Sequence, residues 1–236
     1  MYLYKNKERV LAKDLFLYLE KEKILILSDL HIGLEEAMNK QGILLPRFQF
    51  QELVKRIEKV FKDLEIKKII VNGDLKHEFG TISNQEWSQT LKIINILSTK
   101  AELILVKGNH DTILGPIAEK KDIKVLEYYK VNDIYICHGH KIPENKDFKN
   151  SKLVIIGHEH PAISFKERPT EKFKCFLVGK YKNKTLIVQP SLNLVSEGTN
   201  VTKEKLLSPF LKDLKDFEVF VVEDKIYKFG KLKNIN

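Results

Sequence analysis

Residues 23–33 read KILILSDLHIG, an apolar run that ends in an acid and a histidine two positions apart. Four successive Ile and Leu residues have the length and composition of a buried strand, so Asp29 and His31 would emerge at its carboxyl end. The pattern recurs four times: KIIVNGDLKH at 68–77, LILVKGNHD at 103–111, IYICHGH at 134–140 and LVIIGHEH at 153–160. All seven histidines of the chain lie in these five segments. Histidines with purely structural duties scatter; these do not. In an open α/β sheet, ligands bind in the crevice outside the carboxyl ends of the strands, where neighbouring loops converge. Five polar strand ends therefore predict one shared pocket.

The intervening sequence supplies the rest of a layered fold. Apolar residues at Leu53, Ile57, Val60, Phe61 and Leu64 predict an amphipathic helix over 48–64. Trp87, Leu91, Ile94 and Leu97 predict another over 83–98, capped by Ser83 with Glu86 three residues later. With strands at 23–28, 68–72 and 103–107 this is a βαβαβ succession, hence a parallel half-sheet with right-handed crossovers. The second half changes character. Short strands at 134–137, 153–156, 162–165, 174–179, 185–189, 218–222 and 225–229 are joined by short turns, with Glu223-Asp224 at the tip of a terminal hairpin. Segment 189–209 has little periodicity and contains Pro190, Ser191, Asn193, Gly198 and Pro209; it reads as a loop at the pocket's rim, as does 35–47.

Asp29, His31, Asp74, Asn109, His138, His158 and His160 form a donor set of oxygen and imidazole nitrogen without thiolate, which suits a hard-to-borderline divalent ion. The set is too large for one ion with open positions. Two ions sharing a carboxylate fit it better, and such a pair is the usual clamp for phosphate esters. A lone Asp-x-His is a weak signal, and a lone Gly-Asn-His-Asp reads first as a turn. The joint occurrence is what carries the metal reading.

In this order the five segments resemble the calcineurin-like metallophosphoesterase superfamily, over residues 24–160. Gly73-Asp74-Leu75-Lys76-His77, the Leu45-Pro46 step and the ending at 217–232 further resemble the small phosphoesterases related to ligase-associated DNA-damage-response enzymes and repair-exonuclease subunits. The resemblance implies an α/β fold, a four-layer αββα sandwich of two mixed sheets flanked by helices. It implies Asp29, His31 and His160 on one metal, Asn109, His138 and His158 on the other, and Asp74 bridging them. His110 would stand over the leaving group with Asp111 as its orienting partner. The cofactors implied are two divalent ions, manganese first, with iron, zinc or nickel as other candidates. They would activate a hydroxide for in-line attack. Many superfamily members carry an acid near position 77; His77 and His140 are read as substrate-pocket residues, beside the reading as structural histidines. Arg47 is a candidate for a bidentate phosphate contact, beside that of a solvated surface arginine.

Composition agrees with this picture. The 236 residues carry 41 basic and 32 acidic side chains, a net charge of +9, and only four of the basic residues are arginine. That balance favours a polyanion partner and equally matches the Lys- and Glu-rich bias of proteins adapted to heat. Length and the lack of a linker-like stretch predict a single domain over 1–236. No run has signal-peptide or membrane-span length, so a cytoplasmic protein without membrane partners is expected. Cys137 and Cys175 sit in strand-like runs and read as buried small hydrophobes, Cys137 turned away from the metals. Three functions stay open: a phosphodiesterase on nucleic acid, notably a DNA repair or processing nuclease with a helicase or ligase partner or as a homodimer; a phosphoesterase for a nucleotide or cyclic nucleotide; and a non-catalytic metal-bound scaffold. Phe48, Phe50 and Phe79 are candidate base-stacking residues.

Overall fold

The computed structural model describes residues 1–45, 48–78, 83–111 and 123–235, and these form two mixed sheets packed face to face. The first sheet runs β1 (Tyr2–Lys5), β2 (Arg9–Lys13), β3 (Phe16–Leu19), β4 (Ile24–Leu27), β5 (Lys68–Asn72), β6 (Glu102–Val106) and β7 (Lys124–Leu126) in spatial order. Neighbours are antiparallel up to β4 and parallel from β4 to β7. Helix α1 (Leu34–Lys40) and the longer α2 (Gln49–Asp63) lie between β4 and β5, and α3 (Asn84–Lys100) lies between β5 and β6. The expected βαβαβ half is thus present. Three antiparallel N-terminal strands extend it.

The second sheet contains β8 (Tyr129–Val131), β9 (Ile134–Ile136), β10 (Leu153–Ile156), β11 (Pro161–Phe165), β12 (Arg168–Tyr181), β13 (Lys184–Val188), β14 (Thr199–Asn200), β15 (Glu218–Val222) and β16 (Ile226–Lys231). Its order is β14-β11-β12-β13-β10-β9-β8, with β15 pairing β12 and β16. The sheet is mixed: β10 runs parallel to both β9 and β13, while β12 is antiparallel to its neighbours.

Period-two alternation explains how this sheet serves two cores. Ile134, Ile136, Leu153 and Ile155 face inward and join Leu25, Leu27, Ile69 and Leu105 of the first sheet. Tyr135, Cys137, Val154 and Ile156 face outward into a second cluster. Each fully buried Ile or Leu contributes roughly 1.5–3 kcal/mol by its removal from water. On the first sheet, Leu53, Ile57 and Val60 of α2 and Ile93, Ile94 and Leu97 of α3 complete the packing. The outer layer of the second sheet is thinner than a regular helical layer. Its cover is the five-residue helix α4 (Lys146–Asn150), through Phe148, and irregular chain bearing Phe210, Leu211, Leu214 and Phe217. Cys137 and Cys175 are buried free thiols, and burial pushes Cys137 up to about 12. Among the described residues no helix is long and apolar enough to cross a membrane.

Candidate metal centre

At its carboxyl end each motif strand must leave the sheet at once while still presenting side chains to the crevice. After β4, β5 and β10 the backbone does this by turning left-handed. Asp29, His31, Asp74, His158 and His160 all have φ between 44° and 64°, a conformation that costs a non-glycine residue about 1–2 kcal/mol. Such outliers gather where surrounding structure over-determines them, commonly at functional sites. Glycine is needed beside them for close approach. Gly73 has φ 83°, and a Cβ there would lie 2.1 Å from His138 Nδ1; at Gly157 it would lie 2.0 Å from Ser28 Oγ.

The seven candidate ligands converge. His160 Nε2 lies 3.2 Å from Asp29 Oδ1 and 3.2 Å from His31 Nε2. His138 Nε2 lies 3.3 Å from Asp74 Oδ2, 3.1 Å from His158 Nδ1 and 3.0 Å from Asn109 Oδ1. Asp29, His31 and His160 form one trio and Asp74, His138 and His158 a second, the donor atoms of each all within 4.8 Å of one another. Asp74 stands between the trios, its Oδ2 3.7 Å from His31 Nε2.

Electrostatics match a cation-binding set. Burial, then His160, lowers His31 to about 3, and burial with His138 beside it lowers His158 to about 4. Both imidazoles therefore keep the free lone pair that ligation requires. Burial opposes charge on Asp29 and Asp74, but the histidines around them outweigh it, His160 foremost at Asp29 and His138 at Asp74, and both carboxyls sit below their ordinary range. His138 is the counterpart: burial disfavours its charge, yet Asp74 and Asp29 raise it to about 9. Imidazole nitrogens packed 3.1–3.2 Å apart around two buried carboxylates fit divalent ions well.

His110 lies at the edge of this set, its Nε2 4.0 Å from Asp74 Oδ2. Its Nδ1 is 2.5 Å from the His77 carbonyl and its backbone N–H donates to Asp74 Oδ1 at 2.9 Å. Asp111, expected to orient the ring, instead accepts from the backbone N–H groups of Leu75 at 3.1 Å and Gly108 at 3.0 Å. Burial raises its carboxyl to about 6. The ring's Nδ1 thus faces a carbonyl, and Asp111 ties two loops together. His77 stacks on His110 with ring centroids 5.6 Å apart and stands 5.7 Å from His31. His140 is half-buried, 5.3 Å from His138 and 6.1 Å from His158. Arg47 and Phe79 lie outside the described residues. Phe48 is 58% exposed, whereas Phe50 packs against the core.

Several supporting residues escape a reading of the sequence. Segment 189–193 is buried beneath the site, whereas a rim loop was expected. Gln189 donates to the carbonyls of Leu15 and Ile26, Ser191 Oγ to that of Asp29 at 2.7 Å, and Asn193 Nδ2 to that of Leu30 at 3.1 Å. Lys174 Nζ grips this strap through the Ser191 and Asn193 carbonyls. Glu86, besides following the Ser83 cap, accepts from the N–H groups of His77 at 3.0 Å and Glu78 at 3.1 Å. Glu159, amid the last motif, turns away to Leu207 and Ser208. Lys76 is wholly buried and donates to the His110 carbonyl at 2.6 Å and to that of Glu78. The signal for these residues was polarity next to a motif, which does not name a partner.

Comparison with known proteins agrees with the geometry. The calcineurin-like phosphoesterase family profile matches residues 22–195. No match was found among curated protein sequences. Among solved structures, a Pseudomonas putida nuclease, MPE, is similar with a TM-score of 0.71 at 15% identity, covering 97% of this chain and 99% of that one. At that identity the likeness is one of fold. A Chaetomium thermophilum Vps29 aligns at 13% identity over 90% of each chain, with a TM-score of 0.38.

Proposed function

Because the chain belongs to the calcineurin-like phosphoesterase family and is a metal-dependent phosphoesterase, we propose that it is a phosphodiesterase cleaving nucleic acid, with DNA in repair or processing as its substrate. The observation that carries the phosphodiester chemistry is Asp74, whose Oδ2 lies within 3.7 Å of His31 on one side and 3.3 Å of His138 on the other. In this reading Asp29, His31 and His160 hold one divalent ion, Asn109, His138 and His158 the other, and Asp74 both. The donor set suits a hard-to-borderline divalent ion, and the family resemblance puts manganese first among the candidates. Two such ions supply positive charge that acidifies water and neutralises phosphate oxygens as charge develops.

The chain's own residues do the rest. His110 Nδ1 faces the His77 carbonyl, which can only accept, so the imidazolium form, with a hydrogen on each nitrogen, would give its Nε2 proton to the departing oxygen and be left as the neutral ring with its hydrogen on Nδ1. His77 and His140 flank the trios and contact substrate. A net charge of +9 favours a polyanion, and the Pseudomonas putida nuclease shares the fold over nearly its whole length. Exposed Phe48 offers a ring for a base to stack on.

The test is manganese-dependent cleavage of closed circular single-stranded DNA, with His110→Ala as the contamination control. Cleavage lost in the variant supports an endonuclease. Hydrolysis of a generic phosphodiester without DNA cleavage would keep the metal chemistry and replace DNA with a small nucleotide substrate.

A further inference from the structure

We propose that Lys76 is a positioning residue for His110, its buried ammonium aiming the imidazole at the leaving oxygen. The inference rests on the reading of His110 as proton donor. Three groups of His110 are tied to one stretch of chain: the N–H to Asp74 Oδ1 at 2.9 Å, Nδ1 to the His77 carbonyl at 2.5 Å, and the carbonyl to Lys76 Nζ at 2.6 Å. Segment 74–78 is therefore a template for His110. Lys76 holds the residue's carboxyl side.

Lysine is an expensive choice for that place. It is almost never fully buried, and Lys76 is 0% exposed. An ammonium taken out of water carries a desolvation penalty that an apolar side chain would not. What the ammonium adds is a pair of charge-assisted hydrogen bonds, shorter and stronger than neutral ones, to the His110 and Glu78 carbonyls. It fixes the peptide on which the ring is mounted, and a ring misplaced by about 1 Å can lose about 10²-fold in rate.

A leaving-group comparison separates positioning from general stability. An oligodeoxynucleotide departs as an alkoxide and needs a proton; bis(p-nitrophenyl) phosphate departs as a phenolate and does not. His110→Ala is expected to lose about 10²–10⁴-fold in kcat on the first ester and under about 10-fold on the second. Lys76→Met should repeat the pattern, losing at least about 10-fold on the oligonucleotide with the aryl ester within about 3-fold and metal content unchanged. The double variant should be no slower than His110→Ala alone, as residues acting through one contact are not additive. Lys76→Gln, which keeps a neutral N–H donor, should fall between wild type and Lys76→Met and serves if the latter does not fold. Equal losses on both esters, no loss, or additivity with His110→Ala would overturn the role of Lys76. Absence of leaving-group dependence in His110→Ala would instead sink the proton-donor reading, and a wild-type protein inert toward both esters the phosphodiesterase reading, each taking this inference with it.

Discussion

The first sheet brings Asp29, His31, Asp74, Asn109 and His110 to the crevice, whereas the second brings His138, His140, His158 and His160. Both carboxylates of the trios thus come from the parallel half. The second half offers imidazoles, and its one acid within a motif, Glu159, is turned to backbone N–H groups elsewhere. Each trio nevertheless draws on both sheets: His160 joins Asp29 and His31, and Asp74 joins His138 and His158. Carboxylates on one wall and further imidazoles on the other make a site that exists only when the walls are docked.

Four measurements would break or sharpen that division. Asp74→Ala removes the carboxylate of one trio that also faces His31 of the other, so activity should fall by more than about 10³-fold together with metal content; elemental analysis showing two ions still bound would break the comparison. His110→Ala should leave metal content intact and lower kcat by about 10²–10⁴-fold; full activity would remove His110 from the chemistry. Chelation should destabilise the folded protein, since ions at 100 times their dissociation constant stabilise by about 2.7 kcal/mol. Scanning calorimetry with and without chelator should then resolve a shift of several degrees, and coincident curves would mean that the ions do not hold the sheets together.

The effect of smallest slope, spread over several pH units, concerns Lys174, through which the second sheet grips the strap beneath the site. Burial, with Arg56 nearby, lowers its ammonium from 10.5 to about 7. The folded state binds this proton less tightly than the unfolded state, so between about pH 7 and 10.5 the group makes stability rise with pH, by at most about 1.4 kcal/mol per unit. Denaturant titrations of wild type and Lys174→Met across that window should differ in slope in that direction. Parallel curves would mean that Lys174 keeps its proton in the fold.

Much of this was legible in the sequence because strand ends announce themselves: an apolar run followed by glycine, acid and histidine locates a loop at the crevice without any knowledge of its neighbours. Ser83 and Glu86 likewise marked the start of α3. Strands β1 to β3 were not visible, being only four or five residues long with lysine, arginine and tyrosine among their apolar positions. The 189–193 strap was read as a rim loop since its Pro, Ser and Asn favour turns, whereas its buried hydrogen bonds serve carbonyls more than 160 positions away. Local pattern cannot announce a partner at that separation. The partners of Asp111 were hidden for the same reason: its carboxylate accepts from the backbone N–H of Leu75, in a neighbouring loop, as well as from that of Gly108 in its own.

The strap also sets a schedule. Asp29 leaves the ribosome long before Ser191 and Asn193, which accept responsibility for its peptide carbonyl and those of Leu30 and His31. A nascent chain therefore carries Asp29 and Asp74 before the imidazoles of the second sheet and the strap have been made. A truncated product ending before residue 189 would lack the donors that serve the carbonyls of Asp29, Leu30 and His31, whatever the quality of its first sheet.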